Sequence, residues 1–107
     1  MKMDKPNLHY IRELSAGDEA FKGRLIAVLK EELPVEMKVF YENMQQGRLQ
    51  EAAQNVHKIK HKISILNMND SFFTAEKFED ELNAGRTELL EDFVEILKKM
   101  TNFLSQF

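Results

Sequence analysis

Apolar residues recur every third or fourth position along almost the whole of this 107-residue sequence, and no segment alternates apolar with polar residues. That spacing is the period of a helix with one buried face; a half-buried strand would alternate. Only four glycines and two prolines interrupt it. Long helices packed along one another are therefore expected, and a sheet is not. A chain of this length suits a single domain over residues 1–107 and can bury about two-thirds of its unfolded surface.

The helices can be placed from their stripes and punctuation. A short N-terminal piece, roughly Asn7 to Leu14, carries Leu8, Ile11 and Leu14 inward. Ser15 to Asp18 is a break, and Asp18, alone or with Ser15, can cap the next helix by accepting a backbone N–H. The first long helix carries Phe21, Leu25, Val28, Leu29, Leu33, Met37, Phe40, Tyr41 and Met44 on one stripe. Pro34 interrupts it, but the stripe keeps its phase, which favours one kinked helix over two. Gly47 ends it. The second long helix runs from about Leu49 to Leu66, with Ala52, Ala53, Val56, Ile59 and Ile63 inward and Asn67 in the left-handed terminal position. Asn69 or Asp70 is expected to cap the third, which buries Phe72 or Phe73, Ala75, Phe78 and Leu82. Thr87 is expected to cap the fourth, with Leu90, Phe93, Ile96, Leu97, Met100, Phe103 and Leu104 inward. Short connections make neighbours antiparallel. The expected fold is all-α: an up-and-down antiparallel four-helix bundle with a short additional N-terminal helix.

Composition removes several functions. There is no cysteine, so disulfides, thiolate nucleophiles and thiolate metal sites are excluded. The opening MKMDKPNLHY has no apolar run of a secretory signal, and no stretch is long enough to span a bilayer. A cytoplasmic location, without membrane contact, is the expectation. The net charge of −3 gives no bulk attraction to nucleic acid.

The charge is unevenly distributed. No acidic residue lies between Glu51 and Asp70, an interval that holds His57, Lys58, Lys60, His61 and Lys62. Glu76, Glu79, Asp80, Glu81, Glu88, Glu91, Asp92 and Glu95 follow. One basic element in an acidic molecule suggests a docking face for an acidic partner, although lysines on a helix are as readily just solvated. At about 100° per residue, the apolar strip of the basic helix centres near Val56 and Ile63, and His57 falls roughly 120° away, outside the core. His61 and Ser64 follow on nearly the same strip. Lys60 is within reach of an anion carried by His57. An exposed neutral imidazole is a competent nucleophile toward a phosphoryl group, and the product needs cations near it and no carboxylates. The local sequence meets both conditions.

The segment Ala53-Gln54-Asn55-Val56-His57-Lys58-Ile59-Lys60-His61-Lys62-Ile63-Ser64-Ile65-Leu66-Asn67 resembles the signature of the histidine phosphotransfer (HPt) family. In that signature an apolar residue or alanine precedes the phosphorylated histidine. Any residue, then Leu, Lys and usually Gly come next, with a small residue and a helix-ending Gly further on. Val56, His57, Ile59 and Lys60 match, Ser64 stands at the small residue and Asn67 at the helix-ending Gly. Leu14 to Phe21, Leu33-Pro34 and the stretch Met44 to Leu49 with Gly47 resemble the family's upstream region, so the resemblance covers about residues 8 to 107.

The resemblance implies a phosphorelay role. His57 would accept a phosphoryl group from the aspartate of a receiver domain and pass it to another receiver, with Lys60 stabilising the phosphate. Lys58, His61, Ser64 and Ile65 would dock the receiver. The partners implied are receiver (response regulator) domains and a hybrid histidine kinase. The receiver brings Mg²⁺ and most catalytic groups, so this chain would be a carrier, not an enzyme, with no cofactor of its own and acting as a monomer. One position departs from the pattern: His61 stands where Gly is usual. A side chain there could crowd the transfer geometry, narrow the choice of partner or add a cation. It also keeps open an alternative, a relative that binds receivers as an adaptor without transfer.

Other readings are weaker. His57 and His61, one turn apart, could begin a zinc site, but no third ligand lies near in sequence. Nucleic-acid binding by the lysines is opposed by net acidity and by the lack of arginine and stacking aromatics in that segment. An apolar patch of Ile65, Met68 and either Phe72 or Phe73 is expected beside His57, with the other phenylalanine in the core. Lys60→Ala is expected to leave stability nearly unchanged, its partner anion being absent in the resting protein.

Overall fold

The computed structural model describes residues 4–107. Its elements are α1 (His9–Ser15), α2 (Glu19–Gln45), α3 (Leu49–Ile65), α4 (Asn69–Asn83) and α5 (Leu90–Leu104), with no strand among the described residues. Helix α3 packs between α2 and α4, α5 closes the bundle against α4 and α2, and α1 lies on α2. The molecule is 44 Å long. Helix α2, with 27 residues, sets that length, since each residue advances about 1.5 Å. No helix is long and apolar enough to cross a membrane.

The core is tied together by three fully buried rings from three helices. Phe40 of α2 lies 5.2 Å from Phe93 of α5 and 6.1 Å from Phe78 of α4, and Phe78 and Phe93 are 5.1 Å apart. Offset and edge-on contacts at these distances are the favoured aromatic geometries. Val56, Ile59 and Ile63 complete the packing from α3, fully buried.

The expected stripes hold for α3 and α5. On α2 they hold for Leu29, Leu33 and Phe40, but Phe21, Val28 and Tyr41 are exposed and Ile26 is buried in their place. The strip that α1, α3 and α5 cover on α2 is narrower than the nine positions read from the sequence, and Phe21 sits in the first turn, at the end of the helix. Leu14 is likewise exposed, while Leu8 and Ile11 enter the core. Helix α2 passes through Pro34 unbroken.

The ends of the helices show which signals were local. Asp18 caps α2, accepting from the Phe21 N–H at 3.0 Å, whereas the Ser15 hydroxyl donates back to the Ile11 carbonyl. Asn67 takes φ 63° and Gly47 φ 71°, the left-handed turns that let α4 and α3 reverse direction. Neither Asn69 nor Asp70 caps α4. The carboxylate of Asp4 does so from outside, accepting from the Asp70 N–H at 2.8 Å, the Ser71 N–H at 3.3 Å and the Ser71 hydroxyl at 2.6 Å. Asn7 fastens the same segment, its N–H donating to the Leu66 carbonyl at 3.0 Å. Thr87 does not cap α5 with its side chain either; Glu81 accepts from the Leu89 N–H at 2.9 Å and holds the turn before that helix.

Candidate functional site

His57 lies on the outer strip of α3 with its side chain 54% exposed. The apolar residues on either side of it, Val56 and Ile59, are fully buried, and this anchors the backbone beneath an exposed ring. His61 is one turn on, also exposed, and its ring meets that of His57 edge-on, with centroids 5.2 Å apart and planes at 87°. Lys58 and Ser64 are exposed, and Ile65 is only half-buried, its side chain packed against the core.

A residue missed by the sequence reading completes the site. Glu79 of α4 sits 3.2–3.3 Å from His57 Nδ1 through both carboxylate oxygens, and its Oε1 accepts from Lys60 Nζ at 3.1 Å. The expectation of a carboxylate-free surrounding is therefore corrected, and so is that of an unpartnered Lys60. Only 12% of the Lys60 side chain is exposed, and its ammonium also lies 5.4 Å from the centre of the Phe72 ring. The cause is topological. The tight turn at 66–68 folds α4 back along α3, so residues at similar distances from the turn meet: His57 with Glu79, Lys60 with Phe72 and Glu79. That pairing was the available signal, because the acid-free interval was judged along the chain and not across the hairpin.

A carboxylate against Nδ1 has a chemical consequence. Two acceptors would repel, so Nδ1 carries the proton and donates it toward Glu79. In the neutral ring the lone pair then lies on Nε2, which no hydrogen bond reaches among the described residues. The imidazole is thus held with its basic nitrogen free. Beside it, a cleft of about 430 Å³ opens between α3 and α4, lined by Gln50, Ala53, Gln54, His57, Lys58, Glu79 and Asn83.

The basic helix does not present one basic face. Lys62 turns the opposite way, buried against α2, with Glu36 at 2.8 Å and Glu32 at 3.0 Å. Burial pulls its pKa down, but hydrogen bonds and charge from Glu36 and Glu32 outweigh that and raise it above the ordinary lysine value. Lys60 is bound to Glu79, and Lys58 alone of the three makes no ion pair among the described residues. The expected apolar patch is also corrected in part. Met68 is fully buried at the head of α4; Phe72 packs on the core and Phe73 is 61% exposed. No cluster of three metal-ligating side chains occurs among the described residues.

An exposed, tethered imidazole on a helical bundle defines a histidine-bearing helical module. The family model of the Hpt domain matches residues 24–107, and the chain belongs to that family. The family's role is histidine phosphotransfer in phosphorelays, where its members carry phosphoryl groups between receiver domains and histidine kinases. No curated protein and no solved structure matches the chain.

Proposed function

We propose that His57 is the phosphoryl-accepting residue of this Hpt domain. The observation that carries the reading is the bond from His57 Nδ1 to Glu79, which leaves Nε2 as the free nucleophile on an exposed helical face. In the transfer, Nε2 attacks the phosphorus of a receiver's aspartyl phosphate. The N–P bond forms as the P–O bond to the carboxylate breaks, and the aspartate leaves as its anion. The ring keeps its Nδ1 proton and gains positive charge, which the Glu79 carboxylate offsets where it develops. Lys60 shifts its ammonium from Glu79 toward the phosphoryl oxygens, as a point charge on a flexible stem. The receiver supplies Mg²⁺ and the remaining groups, so the chain acts as a carrier, and transfer is mostly alignment and charge neutralisation.

Docking falls to the surface around His57: Lys58, His61 and Ser64 on α3, with Ile65 contributing only its exposed edge. The partners are receiver domains and a hybrid histidine kinase, met by a monomer in the cytoplasm. The second reading, a receiver-binding adaptor without transfer, is favoured by one observation: the His61 ring stands against that of His57, where the signature has Gly.

Incubation with phosphorylated receiver domains separates the two. The expected result is acid-labile, base-stable label on His57, absent from a normally folded His57→Gln variant. Label on His61 would show the register of the signature to be wrong. Receiver binding without label would establish the adaptor.

A further inference from the structure

We infer that His61 is a positioning residue for His57: its ring braces the imidazole in the orientation that keeps Nδ1 on Glu79 and presents Nε2. The inference rests on the reading of His57 as the phosphoryl acceptor for its purpose, but not for its geometry.

The backbone of a helix leaves an exposed side chain two main χ1 wells, 180° and −60°. With its side chain 54% exposed, His57 has little steric reason to choose between them. Its bonds to Glu79 are 3.2 and 3.3 Å long, at the far end of the hydrogen-bond range, and one such contact is a weak restraint in water. The ring of His61 supplies a second restraint from another direction. It stands perpendicular to the His57 ring with centroids 5.2 Å apart, within the range where edge-to-face pairs attract. Glu79 reaches the ring from α4 and His61 from one turn further along α3. The observed orientation of the ring satisfies both, with Nδ1 toward Glu79 on α4. A change of χ1 well would carry the ring away from that place and from both partners.

The brace needs an aromatic edge, not a charge. That separates it from the two other uses of a side chain at this position, a cation for the phosphate and an obstacle to the partner. His61→Phe keeps the edge and the bulk and discards the titratable nitrogens; His61→Gly discards everything.

The test has two readings on the intact chain. Three-bond couplings to the His57 ring carbon report its χ1 populations. Phosphoramidate, a partner-free donor, reports which ring nitrogen is presented: its P–N bond breaks, ammonia leaves, and an N–P bond forms at the attacking imidazole nitrogen. Wild type and His61→Phe are expected to show one dominant well and label on Nε2 of His57. His61→Gly is expected to reduce the preference for that well by roughly two- to tenfold, the range an aromatic pair supports, and to give a mixture of Nε2 and Nδ1 label. Unchanged couplings in His61→Gly would overturn the brace, and so would a His61→Phe variant as scrambled as His61→Gly. If phosphoramidate labels His9 or His61 of the wild type and never His57, the acceptor reading fails, while the couplings still decide the brace.

Discussion

Lys60 already has an anionic partner in Glu79, and this changes what its removal does. In the resting protein it is held between Glu79 and the face of Phe72, almost out of solvent, so it contributes to stability before any phosphoryl group arrives. Lys60→Ala is expected to destabilise the fold by about 1.5 kcal/mol, the low end for a hydrogen bond between charged groups, and to slow phosphotransfer. Urea denaturation checks the first and receiver-to-histidine transfer kinetics the second; a variant as stable as wild type would mean the contact with Glu79 is only a surface pair. At this scale the closeness of His57, Lys60 and His61 was legible because one helix sets their spacing. Glu79 was invisible for the opposite reason: it comes from another helix, 22 residues on, and only the fold of the hairpin brings it beside His57.

At the scale of elements, the N-terminal segment acts on a helix far from it in sequence. The family match begins at residue 24, yet Asp4, ahead of it, satisfies the first amides of α4. Asp4→Ala is expected to cost about 1 kcal/mol, as for loss of an N-terminal cap. Hydrogen exchange is expected to quicken first at the Asp70 and Ser71 amides. Equal protection in the variant would show that the cap contributes nothing. The stripes of α3 and α5 were legible because each faces a single core and has no break. The cap of α4 was not, because a side chain from a distant segment replaced the local candidates Asn69 and Asp70. The same holds for Glu81, which took the place assigned to Thr87. On α2 the pattern overreached at Phe21, Val28 and Tyr41: periodicity shows which face is apolar but not how much of it the neighbours cover.

For the whole molecule, the distribution of charge is decided by packing and not by sequence order. The three lysines of the basic interval part company, with Lys58 in solvent, Lys60 on α4 and Lys62 locked to α2. Lys62 ties α3 to α2 through Glu32 and through Glu36 Oε2, while the buried Glu36 Oε1 has no hydrogen-bond partner among the described residues. Lys62→Met is therefore expected to destabilise the bundle by about 2 kcal/mol, since truncating one side of a buried pair strands the other; the figure is kept below that of a fully buried pair because Glu32 remains half in water. The alkaline limb of stability follows from the same pair. The pKa of Lys62 is raised above 10.5 in the folded state, so its contribution is complete at neutral pH and is lost as pH climbs through that raised value. Tyr41 acts in the same sense: although much of it is exposed, partial burial outweighs the nearby Lys98 charge and raises its pKa above 10.0, so the unfolded chain sheds that proton first and gains at high pH. The urea midpoint is expected to be level from neutrality up to the ordinary tyrosine range and to fall beyond it. The decline should be shallower in Lys62→Met, which has no proton there to lose. Parallel curves for variant and wild type would mean that Lys62 releases its proton as readily folded as unfolded, and that its ion pairs with α2 do not hold the bundle together.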